Sequence, residues 1–432
     1  MCMQKSLRFG SLRKIISNRF LDIIDWRDSD KVTYIMHDVL MSGFAMMFFQ
    51  DSSLLQFQRR LESSIQKNNL KTLFNVQSIP QDTQMRDIID EVEPKAIEVL
   101  FDDFFRVLQR GKRLERFQVL KDYYLITIDA SGYFSSNKIC CDGCLTKESK
   151  KGAIRYEHQI LQGALMKPDI KQVIPLAPEE IRNTDGQEKQ DCEINAGKRY
   201  LKKIRKSHRK LKIIIGGDSI YSKQPFIKEL KSNAMSYVLV AKPLDHKILM
   251  EWVGEQRQLK EVERLEVKDE KNRLHIYECV NNVPLNGNKE TEWVNYLEYW
   301  LEVDGKITYH NSWVTDIKIE KNNIVELVKI GRCKWKIENE TFNTLKNQGY
   351  HIEHNFGHGK KHLSINFFLL NLLAFFMHQI FEIADKLYQK SRQAFSSKKE
   401  MWNNLRSVIR FLIFPDWETL LQRLLTPEEF LE

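Results

Sequence analysis

The chain has 432 residues, of which 42% are hydrophobic and 11% aromatic, so it can bury a large core and is not a disordered chain. The net charge of +9 favours a polyanionic partner, although many soluble proteins carry such a balance. Seven cysteines, an odd number, without a secretory context predict a reducing cytoplasmic location and exclude a disulfide-stapled scaffold. The length predicts about two to four domains.

Residues 1–118 are predicted to form a helical N-terminal region. Apolar residues recur there at helical spacing, from Met36 to Met47 and again from Ile97 to Leu108. The first 18 residues are basic but lack the continuous apolar core of a signal peptide. Because the region contains no metal or nucleotide motif, three roles stay open: binding DNA ends, oligomerisation and simple packing.

Residues 119–243 alternate between strand and helix patterns. Helices are predicted near 195–208 and 223–232. Strands are predicted at 123–130, 137–145, 158–166, 172–176, 211–217 and 236–241. Short consecutive strands followed by strand–helix–strand units predict an α/β fold with a mixed sheet and helices packed on it.

Residues 244–328 change to alternating apolar and polar residues, and the Asp304-Gly305 dipeptide lies between two such runs as in a hairpin. They are predicted to form an antiparallel β insertion. The chain then returns to helical patterns, with helices near 333–347, 363–388 and 397–412. The last two segments are 329–375, which completes the core, and 376–432, a helical C-terminal region. The longest apolar stretch, 365–381, contains four polar residues and is therefore predicted to be a buried helix.

Three carboxylates lie at the end of a predicted strand or at the start of a predicted helix. Asp129 ends the apolar run that begins at Tyr123, Asp218 ends the run from Leu211, and Glu338 lies in the first turn of a helix. One such residue alone is usually a helix cap or a turn residue. Three on separate elements can hold a pair of Mg²⁺ ions, the usual apparatus for cutting and joining phosphodiesters. Glu340 is the alternative to Glu338. Residues two positions apart on an α-helix point about 200° away from each other, so only one of the two can face the site.

These residues resemble the DDE transposases of bacterial insertion sequences. The resemblance covers about residues 119–375. Its motifs are the two strand-end aspartates and the run Arg332-x-Lys334-Trp335-x-Ile337-Glu338-Asn339-x2-Phe342-x2-Leu345-Lys346. More narrowly, the chain is similar to the branch with an RNase H-like core and a β-strand insertion before the final Glu. Three further stretches resemble an unclassified group of such elements: Cys141–Cys144, Asp185–Glu193 and Asn311–Asp316.

The chain departs from that branch's signature, Tyr-x2-Arg-x3-Glu-x6-Lys, at three positions. With Glu338 as the signature Glu, the Arg position is Lys334 and the Tyr position is Gly331. The downstream Lys position falls on Leu345, with Lys346 one place later.

The resemblance implies an enzyme that cleaves and joins DNA with Mg²⁺ or Mn²⁺, held by the catalytic residues Asp129, Asp218 and Glu338. One metal would activate a water or a DNA 3′-hydroxyl, and the second would stabilise the leaving oxygen. The implied partners are the terminal inverted repeats of the transposon and its target DNA, bound by a homodimer in the bacterial cytoplasm at the nucleoid. Two alternatives stay open: an RNase H-like nuclease without strand transfer, and an inactive DNA-binding descendant.

The same resemblance implies DNA contacts outside the carboxylates. Arg332, Lys334 and Lys346 would bind the phosphate backbone. Trp313 could stack on a base flipped from the DNA end, and the alternative is a buried core tryptophan. Nine Lys or Arg residues and no acid lie between positions 198 and 212, which predicts either a nucleic-acid contact or a solvated helix face.

Cysteine and histidine spacing suggests a second metal. Cys141-x2-Cys144, together with His158 and Cys192, could make a Cys₃His zinc site, because two thiolates on one tight loop can share a tetrahedral ion. Ordinary buried thiols are the alternative. A separate histidine cluster near Gly357 is predicted to contact phosphate or to be exposed; its members are His351, His354, His358 and His362.

Overall fold

A computed structural model describes residues 7–61, 63–183 and 190–426. Most of the stretch Asp185–Glu193 therefore lies outside the described residues.

The N-terminal region is helical, as predicted. Its helices are α1 (Phe9–Leu21), α2 (Met36–Phe48), α3 (Leu54–Leu61), α4 (Ser64–Phe74), α5 (Asp82–Asp90) and α6 (Lys95–Arg110). α2 is buried along its whole length, whereas α6 buries one apolar face and exposes charged residues on the other. A helix that is apolar on all sides belongs inside a core, and one with a single apolar stripe lies at its edge.

A twelve-stranded mixed sheet forms the centre of the molecule. The strands of its first part are β1 (Gln118–Val119), β2 (Tyr123–Ser136), β3 (Leu145–Glu148), β4 (Ile154–Lys167), β5 (Ile170–Pro175), β6 (Glu179–Ile181), β7 (Lys212–Gly217) and β8 (Ser236–Val240). β2, β7 and β8 run parallel to one another, and the other pairs in the sheet are antiparallel. The parallel strands are connected by α7 (Glu193–Ser207) and α8 (Gln224–Ser232), since parallel neighbours need a crossover.

The predicted β insertion extends this sheet and does not form a separate one. After α9 (Lys247–Gln258), the chain forms β9 (Glu263–Lys268), β10 (Leu274–Pro284), β11 (Trp293–Val303) and β12 (Lys306–Thr315). These four strands form an antiparallel meander, and β12 pairs with the last parallel strand, β8. The sheet order is β3-β4-β2-β7-β8-β12-β11-β10-β9. The insertion therefore returns the chain beside the core strands just before the segment that contains Glu338.

The remaining chain is helical. It forms α10 (Ile324–Arg332), a π-helix (Ile337–Phe342), α11 (Asn343–Asn347), α12 (Leu363–Ala384), α13 (Lys386–Gln393), α14 (Lys398–Phe411) and α15 (Trp417–Leu425). α12 is the one helix in the described chain long and apolar enough to cross a membrane, and 89% of its apolar window is buried within the protein. It packs against α2, α5, α6 and β5, which confirms the prediction of a buried helix.

The predicted fold class is confirmed as α/β: a mixed sheet flanked by helices, with an antiparallel β insertion and helical terminal regions. Two local predictions are wrong. Residues 137–144 form no strand, because this segment turns tightly, with Cys144 N–H donating to the Cys141 carbonyl at 3.1 Å, and only Leu145–Glu148 pairs with β4. The helix predicted at 333–347 is interrupted by the π-helix.

Candidate functional site

Asp129 and Asp218 lie just beyond the segment in which β2 and β7 pair in parallel, although β2 itself continues to Ser136 beside β4. Asp129 is in β2, and Asp218 follows β7 in an extended conformation. The strand register pairs Thr127 with Gly216, so each aspartate is two residues beyond this pair. Side chains alternate between faces with a period of two, so both carboxylates project from the same face of the sheet. The edge where parallel strands end is the usual ligand site of such sheets.

Lys334 connects Asp129 to Glu338. Its Nζ lies 3.3 Å from Asp129 Oδ2 and 2.6 Å from Glu338 Oε1. Glu338 is in the π-helix, a widened turn that is frequent at functional sites. The contacts thus favour Glu338 over its rival Glu340, because Glu338 shares a lysine with Asp129.

The charges of the site act on one another. Burial raises the pKa of Asp129 to about 6, although the nearby Lys334 ammonium opposes this shift. Burial by itself would lower the pKa of Lys334. The hydrogen bond to Glu338 and the charges of Asp129, Glu338 and Asp218 outweigh that effect, so the net pKa of Lys334 is raised. The ammonium therefore interacts electrostatically with all three predicted carboxylates.

Three further side chains belong to this site and were missed in the sequence. Glu193, the first residue of α7, accepts a hydrogen bond from Tyr221 Oη at 2.5 Å and raises the pKa of Asp129. Lys242 Nζ lies 3.5 Å from Asp218 Oδ1. Glu193 is the last residue of the stretch Asp185–Glu193 that contributed to the resemblance, but no role in this site was predicted for it, and no sequence signal marked Tyr221 or Lys242.

The donor set of the site fits a hard divalent cation. Carboxylate oxygens are the ligands that Mg²⁺ prefers, and the cationic Lys334 Nζ lies between two of them. Among the described residues, only a Cys/His group brings three or more possible metal-ligand atoms within 4.8 Å of one another, so the carboxylates of Asp129, Asp218 and Glu338 are farther apart as a set. Binding of a shared ion would therefore require Lys334 to leave the space between Asp129 and Glu338.

The residues predicted to contact DNA are engaged within the protein. Arg332 lies over the Tyr309 ring, with its Cζ 4.5 Å from the ring centroid, and Lys346 Nζ is 2.8 Å from Glu353 Oε1. Trp313 is fully buried and packs against Gly331, so its indole has no free face for a base in this conformation. The burial of Trp313 corrects the stacking prediction in favour of the core tryptophan.

The basic run at 198–212 is partly neutralised by acids from other elements. Arg199 binds Glu179 and Asp191 at 2.8 and 2.7 Å, and Lys203 binds Glu98 at 3.0 Å. These contacts attach α7 to its neighbours, which reduces the charge that the run can offer to a nucleic acid.

The predicted zinc ligands converge, with one exception. Cys141, Cys144 and His158 lie together, and the fourth member of the cluster is His358, not Cys192. Cys192 is exposed at the start of α7 and lies outside the cluster. His358 belongs to the histidine group that was predicted to contact phosphate or solvent, and it is buried. The sequence prediction failed here because His358 is 214 residues away from Cys144 along the chain.

A scan against models of known protein families gives no match, and a search of curated proteins gives no significant match.

Proposed function

We propose that this protein is a DDE transposase that cleaves DNA strands at the ends of an insertion sequence and joins them to a target. One observation carries the proposal: Asp129 and Asp218 each lie two residues beyond the last parallel pair of β2 and β7, and Lys334 joins Asp129 to Glu338. Carboxylates gathered at one sheet edge from three separate elements suit phosphoryl transfer in a basic chain. The sequence resemblance supplies the reaction class.

The chain's own residues would have the following roles. Asp129, Asp218 and Glu338 would hold Mg²⁺ or Mn²⁺, which supplies Lewis-acid activation of the attacking and leaving oxygens. Once Lys334 is displaced from the carboxylates, its ammonium would bind a non-bridging phosphate oxygen of the DNA strand. Lys242 beside Asp218 would contribute a second positive charge at the same edge. Two subunits would act together, because an element has two ends to cut.

The test uses a supercoiled plasmid that carries the DNA flanking this gene on both sides, incubated with the full chain and Mg²⁺ or Mn²⁺. Cleavage followed by joining supports a transposase. Cleavage alone favours the nuclease alternative, and metal-independent binding without cleavage favours the inactive DNA-binding alternative. Asp129→Ala is expected to abolish cleavage and to leave DNA binding nearly intact, and persistent cleavage by this variant contradicts the proposal.

A matched pair of variants tests the third carboxylate. Glu338→Gln is expected to reduce the cleavage rate by at least about 100-fold, because it removes a charged ligand at the reacting phosphate. Glu340→Gln, two residues away in the same π-helix, is the control and should keep most of the activity. The reverse result, with Glu340→Gln inactive and Glu338→Gln active, would assign the role to Glu340.

A further inference from the structure

We infer that Cys141, Cys144, His158 and His358 form a structural zinc site that holds the loop before α12 against the edge of the sheet. The inference does not depend on the proposed function. Cys141 and Cys144 lie on the turn between β2 and β3, His158 is in β4, and His358 precedes α12. Four ligand atoms from three distant segments converge on one point.

The distances within the cluster match those of a tetrahedral zinc site. Ligands at about 2.3 Å for sulfur and about 2.05 Å for nitrogen lie about 3.8 Å apart for S–S, 3.5 Å for S–N and 3.3 Å for N–N. The two sulfurs are 3.8 Å apart. Three sulfur–nitrogen distances are 3.6, 3.5 and 3.4 Å, and the two Nε2 atoms are 3.1 Å apart. The remaining pair, Cys141 Sγ and His358 Nε2, is within 4.8 Å.

The surroundings of the ligands also suit a metal. The backbone N–H of Cys141 donates to Cys144 Sγ at 3.4 Å, an arrangement that stabilises a thiolate. His358 Nδ1 lies 3.0 Å from the Gly359 carbonyl. If Nδ1 carries the proton and donates it to this carbonyl, the Nε2 lone pair is free for the ion. Histidine ligands of metals usually make such a hydrogen bond through their other ring nitrogen. The Phe134 ring, 4.5 Å from the His358 ring between centroids, shields the cluster from water.

The site is structural and not part of the carboxylate site. All four positions are protein ligands, which leaves no open position for a substrate. Asp129 pairs with Gln162 across β2 and β4, whereas Phe134 pairs with His158. The two sites are thus five residues apart along β2, or roughly 17 Å at about 3.3 Å per residue.

A bound zinc ion would fix the start of α12. His358 lies between Gly357 and Gly359, which both have positive φ. The backbone N–H groups of residues 360–363 donate hydrogen bonds to the Asp90 carboxylate. Without the ion, four polar ligand atoms would remain close together, three of them on buried residues. Two imidazoles sharing one hydrogen bond would account for the short N–N distance, but not for both sulfurs beside them.

The experiment measures zinc by mass spectrometry in the full chain, purified under reducing conditions and dialysed after growth with added zinc. About one zinc per chain is expected. Cys144→Ser and His358→Ala should each weaken zinc binding by more than about 100-fold. Mutation of a residue that only hydrogen-bonds to a metal ligand already lowers metal affinity by about 10–100-fold, and these two residues would bind the ion directly. Cys140→Ser and Cys192→Ser are the matched controls, since both thiols are exposed and lie outside the cluster.

A measurement on the wild-type chain covers the case in which the ligand variants do not fold. Cobalt loaded in place of zinc should give the visible ligand-field bands of tetrahedral Co²⁺ together with thiolate charge-transfer absorption. Titration with a chelator should remove these bands and lower the melting temperature. The inference is overturned if the folded wild-type chain binds neither zinc nor tetrahedral cobalt stoichiometrically. It is also overturned if Cys192→Ser loses zinc while His358→Ala retains it.

Discussion

Trp313 fixes the position of the segment that leads to the carboxylate site. It lies at the end of β12, fully buried, and a Cβ placed on Gly331 would be 2.6 Å from its ring. Gly331 is in α10, three residues before Lys334. The absence of a side chain at position 331 lets α10 pack closely on the indole, and this packing sets the direction in which the chain continues to Lys334 and Glu338.

Gly331→Ala is expected to lower the free energy of unfolding by about 1–3 kcal/mol, because the added methyl group forces the Trp313 ring or α10 to move. Chemical denaturation measures this change. Gly254→Ala in α9 is the control: nothing lies within 4 Å of its added Cβ, so it should stabilise the protein by up to about 1 kcal/mol. Equal effects of the two substitutions would contradict the close packing.

Glu193, the last residue of the stretch Asp185–Glu193, is placed beside Asp129 by the fold. It contributes negative charge beside Asp129 and is held by Tyr221, whose own pKa is raised by burial and then by Glu193. A helix N-terminus stabilises a carboxylate, which makes Glu193 a stable member of an otherwise repulsive group of acids.

At the scale of elements, α12 depends on an acid from another helix. Asp90, the last residue of α5, accepts hydrogen bonds from the backbone N–H groups of four consecutive residues at 2.8–3.0 Å; these are Lys360, Lys361, His362 and Leu363. A helix begins with N–H groups that lack partners inside the helix, and an anion there also interacts favourably with the helix dipole. The N-terminal region thus supplies the cap of the long, buried helix α12.

Asp90→Asn is expected to lower the free energy of unfolding by about 1–2 kcal/mol, as for the loss of a helix cap. Burial alone would raise the pKa of Asp90, but the backbone hydrogen bonds outweigh it and the pKa lies below 3.8. The stabilisation is therefore present above pH 3.8 and is lost as the pH falls through the lower folded-state pKa. Thermal melts between acid and neutral pH measure it, and Asp87→Asn, at an exposed position of α5, should leave them unchanged.

The π-helix is a second element with a functional consequence. Its wider turn changes the direction of every side chain after Ile337 relative to an uninterrupted α-helix. Lys346, eight residues after Glu338, binds Glu353.

In the molecule as a whole, the helical N-terminal region packs against the sheet-containing region through His208. Its ring lies 4.2 Å from the Phe105 ring of α6, measured between centroids, and the residue follows α7 directly. Burial lowers the pKa of His208. Asp102 opposes this shift and Arg106 and Arg205 add to it, and the net pKa is about 4. A proton on this imidazole would be poorly solvated at the junction.

The protein should therefore lose stability as the pH falls from about 6.5 toward 4. The folded-state pKa of His208 is below the unfolded value, so protonation favours the unfolded chain, by up to about 3 kcal/mol at the acid end. His208→Gln should reduce the slope of the melting temperature against pH in this range. Other buried histidines, such as His246 with a pKa lowered to about 4, keep part of the slope. An unchanged slope would contradict the argument.

The sequence alone predicted the classes of element and the two aspartates that follow apolar runs, but it predicted the first strand to end at residue 130, whereas β2 continues to Ser136. Hydrophobic runs fix where strands form, and parallel neighbours bring their carboxyl ends to one edge, so the order of residues alone was enough to locate Asp129 and Asp218. Alternating residues likewise predicted the β insertion. These features depend on neighbours a few residues apart, which a single sequence contains.

Which distant residues meet depends on how the elements pack in three dimensions. His358, and not Cys192, completes the Cys/His cluster, and Lys334 forms an ion pair with Asp129. The approach of Glu193 to Asp129 and the burial of Trp313 likewise join segments that are far apart in the chain. Local spacing carries no information about such contacts, because they arise from how the insertion and α12 pack back onto the sheet. The π-helix also escaped prediction, because π-helical turns are rare and the apolar spacing here was assigned to a regular α-helix.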